Sequence, residues 1–233
     1  MSIDPIYVAQ GTNQGEENEF SSAELQTRLN DISKQLSSKA DDYSPETINL
    51  RLTEIELLIA LKQSDTAYKH AFRLFSVVIE KEQWENVVRV SDLLFRCDGE
   101  DALQFLGQGV WLAVTFPINA ELSVRMLHHI VENTPDDSDG AAVAAAAAAY
   151  IVDLRCSGME RSNLEFATTQ VLGLVARRHS QIENQSAFSE WMRKLELNDP
   201  EKFLVRLRNV IDVLVQDNWS IDRRVIRRSI PVE

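Results

Sequence analysis

The chain has 233 residues, 44% of them hydrophobic and 26% charged, an ordinary globular balance with length enough to bury a sizeable core. Its net charge is -12; residues 161–233 hold 12 Lys+Arg against 10 Asp+Glu, so residues 1–160 carry -14 and repel phosphate backbones. With 8 glycines, 6 prolines and no apolar run longer than Ala141 to Val152, about 18 Å of helix against a ~30 Å hydrocarbon core, neither a turn-rich β-fold nor a membrane span is expected.

Residues 1–20 are polar, with Gly11, Gly15 and the acids Glu16, Glu17 and Glu19, and read as an N-terminal arm. Ile3, Ile6, Tyr7 and Val8 are its only candidates for a docking motif, and Asp4-Pro5 in place of a basic region speaks against a secretory signal. The first helix is expected from Ser21 to about Ser38, with Glu24 serving its first turn and Leu25, Leu29, Ile32 and Leu36 on one face. After the loop at 40–44, Ser44-Pro45-Glu46-Thr47 is a helix start: serine cap, proline in the first turn, acid near the positive dipole end. Ile48, Leu52, Ile55 and Ile59 then mark a buried face.

A third stripe runs from Ala71 through Leu74, Phe75, Val78 and Ile79, and a three-residue turn leads to Trp84, Val88 and Phe95. Gly99 is expected to close that helix in the left-handed conformation. Leu103 to Val114 forms the next helix, stopped at Phe116-Pro117, and Asn119 caps the one carrying Leu122, Met126, Leu127 and Ile130. Gly140 to Cys156 is apolar all round, so neighbours should surround it. Gly107 and Gly109 lie inside a helix, where each costs ~1 kcal/mol relative to alanine unless a backbone passes close by. The alanine-rich helix is the expected neighbour. Leu164 to His179, a short helix around Phe188 to Leu195, and a long one from Pro200 with Leu204, Leu207, Ile211 and Leu214 complete the series.

The fold class is therefore all-α, about ten helices in five antiparallel pairs over residues 21–219, followed by a basic tail at 220–233. Helix ends at Gly99 and Pro135 stand 36 residues apart, the kind of spacing that suggests an α-solenoid or helical-repeat bundle. Lys81-Glu82-Gln83-Trp84-Glu85 sits where tetratricopeptide repeats have a tight turn and a following aromatic, so residues 68–99 resemble one hairpin of that family. Phe75 and Val87 stand where the family has glycine and alanine, and the resemblance implies similarity of architecture alone.

Little in the sequence is catalytic. Asp136-Asp137-Ser138-Asp139-Gly140 fails as a calcium loop, with Pro135 at the first ligand position and Ala146 at the twelfth, and reads as a dipole-matched helix start. His128 and His129 cannot both converge with Glu132 on one helix face, so no metal site is expected there; His70 and His179 read as isolated. There is no phosphate loop, no Gly-x-Ser-x-Gly and no paired nucleophile, and Cys97 and Cys156 read as buried thiols of a reducing cytoplasm. No catalytic residue, cofactor or metal ligand is singled out. Arg223, Arg224, Arg227 and Arg228 form two pairs four apart and are the candidate docking strip for an acidic partner. Ile221, Val225 and Ile226 look too few to anchor that segment as a core helix. The functional expectation is a non-catalytic protein–protein interaction module, a helical-repeat adaptor, assembly factor or chaperone. The alternative is a small all-α enzyme or ligand-binding domain whose site the sequence does not mark.

Overall fold

A computed structural model describes residues 21–228; the proposed N-terminal arm and residues 229–233 lie outside that range. All regular structure among the described residues is helical, in eleven helices. These are α1 (Ser22–Ser37), α2 (Pro45–Ala60), α3 (Ser64–Glu80), α4 (Trp84–Arg96), α5 (Ala102–Thr115), α6 (Ala120–Glu132), α7 (Asp139–Arg155), α8 (Gly158–Ser180), α9 (Gln185–Lys194), α10 (Pro200–Val215) and α11 (Arg223–Arg228). None is long and apolar enough to cross a membrane.

Several starts are those the sequence marks. Ser21 and Glu24 form a reciprocal capping box, Ser44 accepts the Thr47 N–H ahead of Pro45, and Asn119 accepts the Leu122 N–H. The ends use another device. Lys62, Glu82 and Asp98 each take φ between 53° and 58°, turning the chain after α2, α3 and α4. In the first two turns the following glutamine donates to the carbonyl five residues back, Gln63 to Leu58 and Gln83 to Val78, so two successive helices end in the same hydrogen-bond pattern. The left-handed residue after α4 is Asp98; Gly99, the residue expected there, is not.

Each helix from α1 to α8 packs on the next, and α2, α4, α6 and α8 also touch in succession. Ile48, Leu52, Ile55, Leu94, Leu106 and Leu127 are among the fully buried side chains of the shared core. Ala144 to Ala148 are buried, as an all-apolar helix requires. Their neighbours differ from the expected ones. α7 packs on α6, α8 and α10, and α10 lies between α7 and α5. An alanine Cβ placed at Gly107 would stand 2.5 Å from Val215 Cγ2 of α10, and one at Gly109 would stand 2.5 Å from Met126 Cε and 2.8 Å from Ser91 Cβ. The glycines do admit close neighbours, but α10 and the α4–α6 pair are those neighbours, because the large side chains Phe203, Leu207 and Ile211 fill the space beside α7. α7 reaches α5 through Arg155, whose guanidinium donates to the carbonyls of Ala113 (2.8 Å), Val114 (3.0 Å) and Ile118 (3.1 Å). Those carbonyls at the α5 terminus have no helical partner of their own.

The segment from 220 onward is not a free tail as far as residue 228. Ile221 and Ile226 are buried at 4% and 2% exposure, and α11 sits against the core. Two isoleucines suffice because arginine stems and tryptophan rings complete the contact: Arg223 lies 3.9 Å over Trp219, which meets Trp111 edge to face.

Candidate functional site in the cleft between α1 and α3

A cleft of about 270 Å³ opens between α1 and α3 with α2 as its floor. The helices present side chains to it at one spacing, Arg51, Glu54 and Ile55 from α2, and His70, Arg73 and Leu74 from α3. Residues three and four apart share a helix face, so each helix contributes one apolar wall residue beside its charged ones. Leu36 and Ser37 of α1 and Tyr43 of the α1–α2 loop close the other side.

Glu54 is buried and fully engaged: Ser33 Oγ donates to Oε1 at 2.8 Å and His70 Nδ1 donates to Oε2 at 3.0 Å. Burial pushes its carboxyl up, but the hydrogen bonds from His70 and Ser33 and the charges of His70 and Arg51 outweigh it and hold the group below the ordinary glutamate range. Glu54 is thus a paired anion, each carboxylate oxygen accepting one hydrogen bond. His70, isolated by its sequence context, is paired in the fold.

Arg51 does two jobs. Its Nη2 donates to the carbonyls of Lys39 (2.9 Å) and Ala40 (2.8 Å), fixing the loop, and its guanidinium lies 4.8 Å from the Tyr43 ring centre. Its Nε is buried and has no acceptor. Arg73 is exposed on the rim and has no partner among the described residues. With Arg51 and Arg73 against the one carboxylate of Glu54, the cleft lining is cationic within an acidic chain.

No family model, no curated protein and no solved structure matches this chain. The likeness of residues 68–99 to a tetratricopeptide hairpin stays a local one.

Ser37, the aliphatic hydroxyl of the cleft lining, donates to the Lys34 carbonyl at 2.7 Å, so it is not aligned on the His70 imidazole. Burial pushes the Cys97 thiol up to about 11, which keeps it protonated and inert.

The other singled-out residues have structural partners. His129 Nε2 donates to Asp92 Oδ1 at 2.7 Å, and Arg96 and Arg125 approach Asp92 Oδ2 at 3.8 and 3.7 Å. Among the described residues no group of three potential metal ligands converges. Ser138 caps α7, and Asp139 pairs with Arg206 (2.7 Å) and with His179 (3.1 Å), which also accepts the Trp191 indole N–H at 3.2 Å. His179 is thus not isolated either. Of the arginine strip, Arg223 is held by Trp219 and by Asp212 at 3.0 Å, and Arg227 lies 5.8 Å over Trp111. Arg224 and Arg228 are exposed, with Ile226 turned inward between them. The four do not form one uniform strip. Sequence reasoning missed the α1–α3 cleft because the 51/54/55 and 70/73/74 spacings are each ordinary, and only the pairing of Glu54 with His70 joins them.

Proposed function

We propose that the protein is a non-catalytic interaction module, of adaptor, assembly-factor or chaperone type, which receives a carboxylate-bearing segment of a partner protein in the α1–α3 cleft. The observation that carries this reading is the exposed, unpaired Arg73 at the rim of a cleft whose lining also includes Arg51, against the one carboxylate of Glu54. A carboxylate can accept from the Arg73 guanidinium, while the half-buried Tyr43 ring offers apolar surface to the flanking chain. The succession of contacts from α1 to α8 supports an α-solenoid-like stack whose odd-numbered helices form the binding side. α10, seated between α5 and α7, is consistent with intervals in that row wide enough for a segment of chain. Phe72 and Leu103, both about half exposed, extend the apolar surface beyond the cleft toward α5. The exposed Arg224 and Arg228 are a second proposed contact for an acidic partner. Two buried, unpaired cysteines are in keeping with a reducing cytoplasmic location.

A second reading, binding of a small carboxylate, is favoured by the Glu54–His70 pair beside a concave space of ligand size. The two separate experimentally. Affinity capture from the native cell is run with wild type, Arg73→Glu and Arg224→Glu/Arg228→Glu, with bound proteins quantified. Loss of a specific protein by about tenfold or more with Arg73→Glu supports the module. Equal recovery with wild type and Arg73→Glu excludes the cleft as its docking site. A small carboxylate released on denaturing the purified protein, and absent from Arg73→Glu, supports the second reading.

A further inference from the structure

α9 is held to the body at two points that meet on one carboxylate. Trp191 is its one buried residue, 4% exposed, and the indole N–H donates to His179 Nδ1 of α8 at 3.2 Å. At the other end Arg206 of α10 donates from Nη1 to the Leu195 carbonyl, just past α9, at 2.6 Å. Asp139 at the start of α7 joins the two: Oδ1 faces His179 Nε2 at 3.1 Å, and Oδ2 accepts from Arg206 Nη2 at 2.7 Å. The indole can only donate, so His179 Nδ1 carries a lone pair and Nε2 carries the proton that goes to Asp139. Ser180 Oγ lies 2.6 Å from the same Nδ1, and a hydroxyl can donate or accept. Neutral His179 thus satisfies Trp191. Protonated His179 has no lone pair for it, while its new N–H finds the Ser180 oxygen already in place.

We propose that Trp191 and His179 form an acid-sensitive latch, which holds α9 on α8 while the imidazole is neutral and releases it as the imidazole takes up a proton. The direction follows from which groups differ between latched and released α9. Asp139, the positive end of α7, Arg206 and Ser180 belong to α7, α8 and α10 and face His179 in both states, so their effects on its charge cancel. Arg178 is directed to the Val131 carbonyl and Asp136, and Arg177 is exposed. On α9 itself, Glu190 and Arg193 pair with each other at the surface and Lys194 is exposed. The Trp191 N–H is the contact His179 loses when α9 leaves, and it favours the neutral ring alone. The latched state therefore binds the proton less well than the released one, and by linkage acid shifts the balance toward release. The latch is complete above the range in which imidazoles ordinarily titrate and is lost as pH falls through it. α9 is suited to move as a unit: of its ten residues only Trp191 is buried, and α8 is the helix it mainly packs on. Release uncovers the Trp191 and Phe188 rings, which lie 5.8 Å apart on its inner side.

Hydrogen exchange of the full chain, read by mass spectrometry at about pH 7.5 and about pH 5.5 and corrected for the intrinsic rate at each, is the test. The protection of residues 185–194 is expected to fall by about tenfold at the lower pH, the factor that one buried donor left without an acceptor corresponds to, while α7 and α10 keep theirs. Trp191→Phe keeps an aromatic ring and removes the N–H. His179→Asn sets a carbonyl oxygen that does not titrate near the Nδ1 position. Both variants are expected to protect α9 equally at the two pH values. Wild-type α9 whose protection is unchanged at the lower pH overturns the proposal, and so does a fall that α7 and α10 share. A pH response that persists in either variant also overturns it, since the pair of Trp191 N–H and His179 Nδ1 then has no part in the release.

Discussion

Replacing Gly107 with alanine sets two effects of opposite sign against each other. Alanine inside a helix is favoured over glycine by ~1 kcal/mol. Against this, the new Cβ would stand 2.5 Å from Val215 Cγ2 and 3.1 Å from Leu214 Cβ, both close to the α10 backbone and unable to swing away. Ordinary carbon contacts lie at ~3.5–4.0 Å, so α10 must retreat by roughly 1 Å, and a gap of that size forfeits a quarter to a half of each affected contact. Overpacking of this kind costs ~1–3 kcal/mol, which less the ~1 kcal/mol propensity gain leaves a net loss of about 0–2 kcal/mol. For a chain of this length each kcal/mol moves Tm by ~2–4 °C, so Gly107→Ala should melt no higher than wild type and as much as about 8 °C below it. Gly173→Ala is the control of opposite sign. With no atom near its Cβ, it keeps only the propensity gain and should melt about 2–4 °C above wild type. Circular dichroism melts of both variants at one matched concentration read the two shifts. If Gly107→Ala rises as far as Gly173→Ala, then α10 does not pass Gly107 at the distance described, and the seating of α10 between α5 and α7 is wrong.

Three further outcomes are expected. Burial pushes the Asp92 carboxyl up, but the His129 hydrogen bond and the charges of Arg125, His129 and Arg96 outweigh it and leave it below the ordinary range. A depressed carboxyl contributes stability that is complete at neutral pH and is lost as pH falls below about 4 through the folded-state value. Asp92→Asn should therefore cost about 3 kcal/mol in urea melts at pH 7 and show a shallower acid limb than wild type; an equally steep limb would assign the acid sensitivity to other groups. Arg224→Glu/Arg228→Glu should leave Tm within about 1 °C of wild type, because neither side chain has a partner among the described residues, while Arg223→Glu, which breaks the Asp212 pair and the Trp219 stack, should lower it by a few degrees. Melts with and without chelator should coincide, and a fall of about ten degrees with chelator would reveal a structural metal.

Local chemistry made most helices legible. Ser44-Pro45, Asn119 and Asp199-Pro200 mark starts that need only a side-chain oxygen and a few residues of context. α3 begins at Ser64, ahead of the stripe that opens at Ala71, because its first turn has no capping side chain and only Ala67 is buried there. α8 begins at Gly158, before the first inward residue, since its early turns carry the outward Met159 and no readable stripe. Of the closing turns the sequence marks one, at Gly99, because Lys62, Glu82 and Asp98 adopt a conformation that favours glycine and each is held there by backbone hydrogen bonds across the end of the helix. The α1–α3 cleft was beyond reach of sequence spacing. Glu54 and His70 sit sixteen residues apart on different helices, and their pairing depends on how α2 and α3 pack.

The position of α10 bears on where a partner can dock. A row of helices that stands open along its length offers a continuous groove, but here the interval between α5 and α7 is closed by the chain itself. Phe203, Leu207, Ile211 and Val215 are at most 3% exposed, and Phe203 meets Tyr150 of α7 edge to face. Burying four such side chains contributes on the order of 1.5–3 kcal/mol each, so a partner helix of similar composition would have to match that whole sum before displacing α10. Intramolecular attachment adds an effective concentration that a free partner lacks. Displacement is therefore disfavoured, and α10 belongs to the core. The other end of the row differs, since the α1–α3 cleft carries the exposed Arg73 and no segment of the described chain fills it. Under the proposed function a carboxylate-bearing segment would pair with Arg73 there and displace nothing, whereas one entering the α5–α7 interval would first have to remove α10.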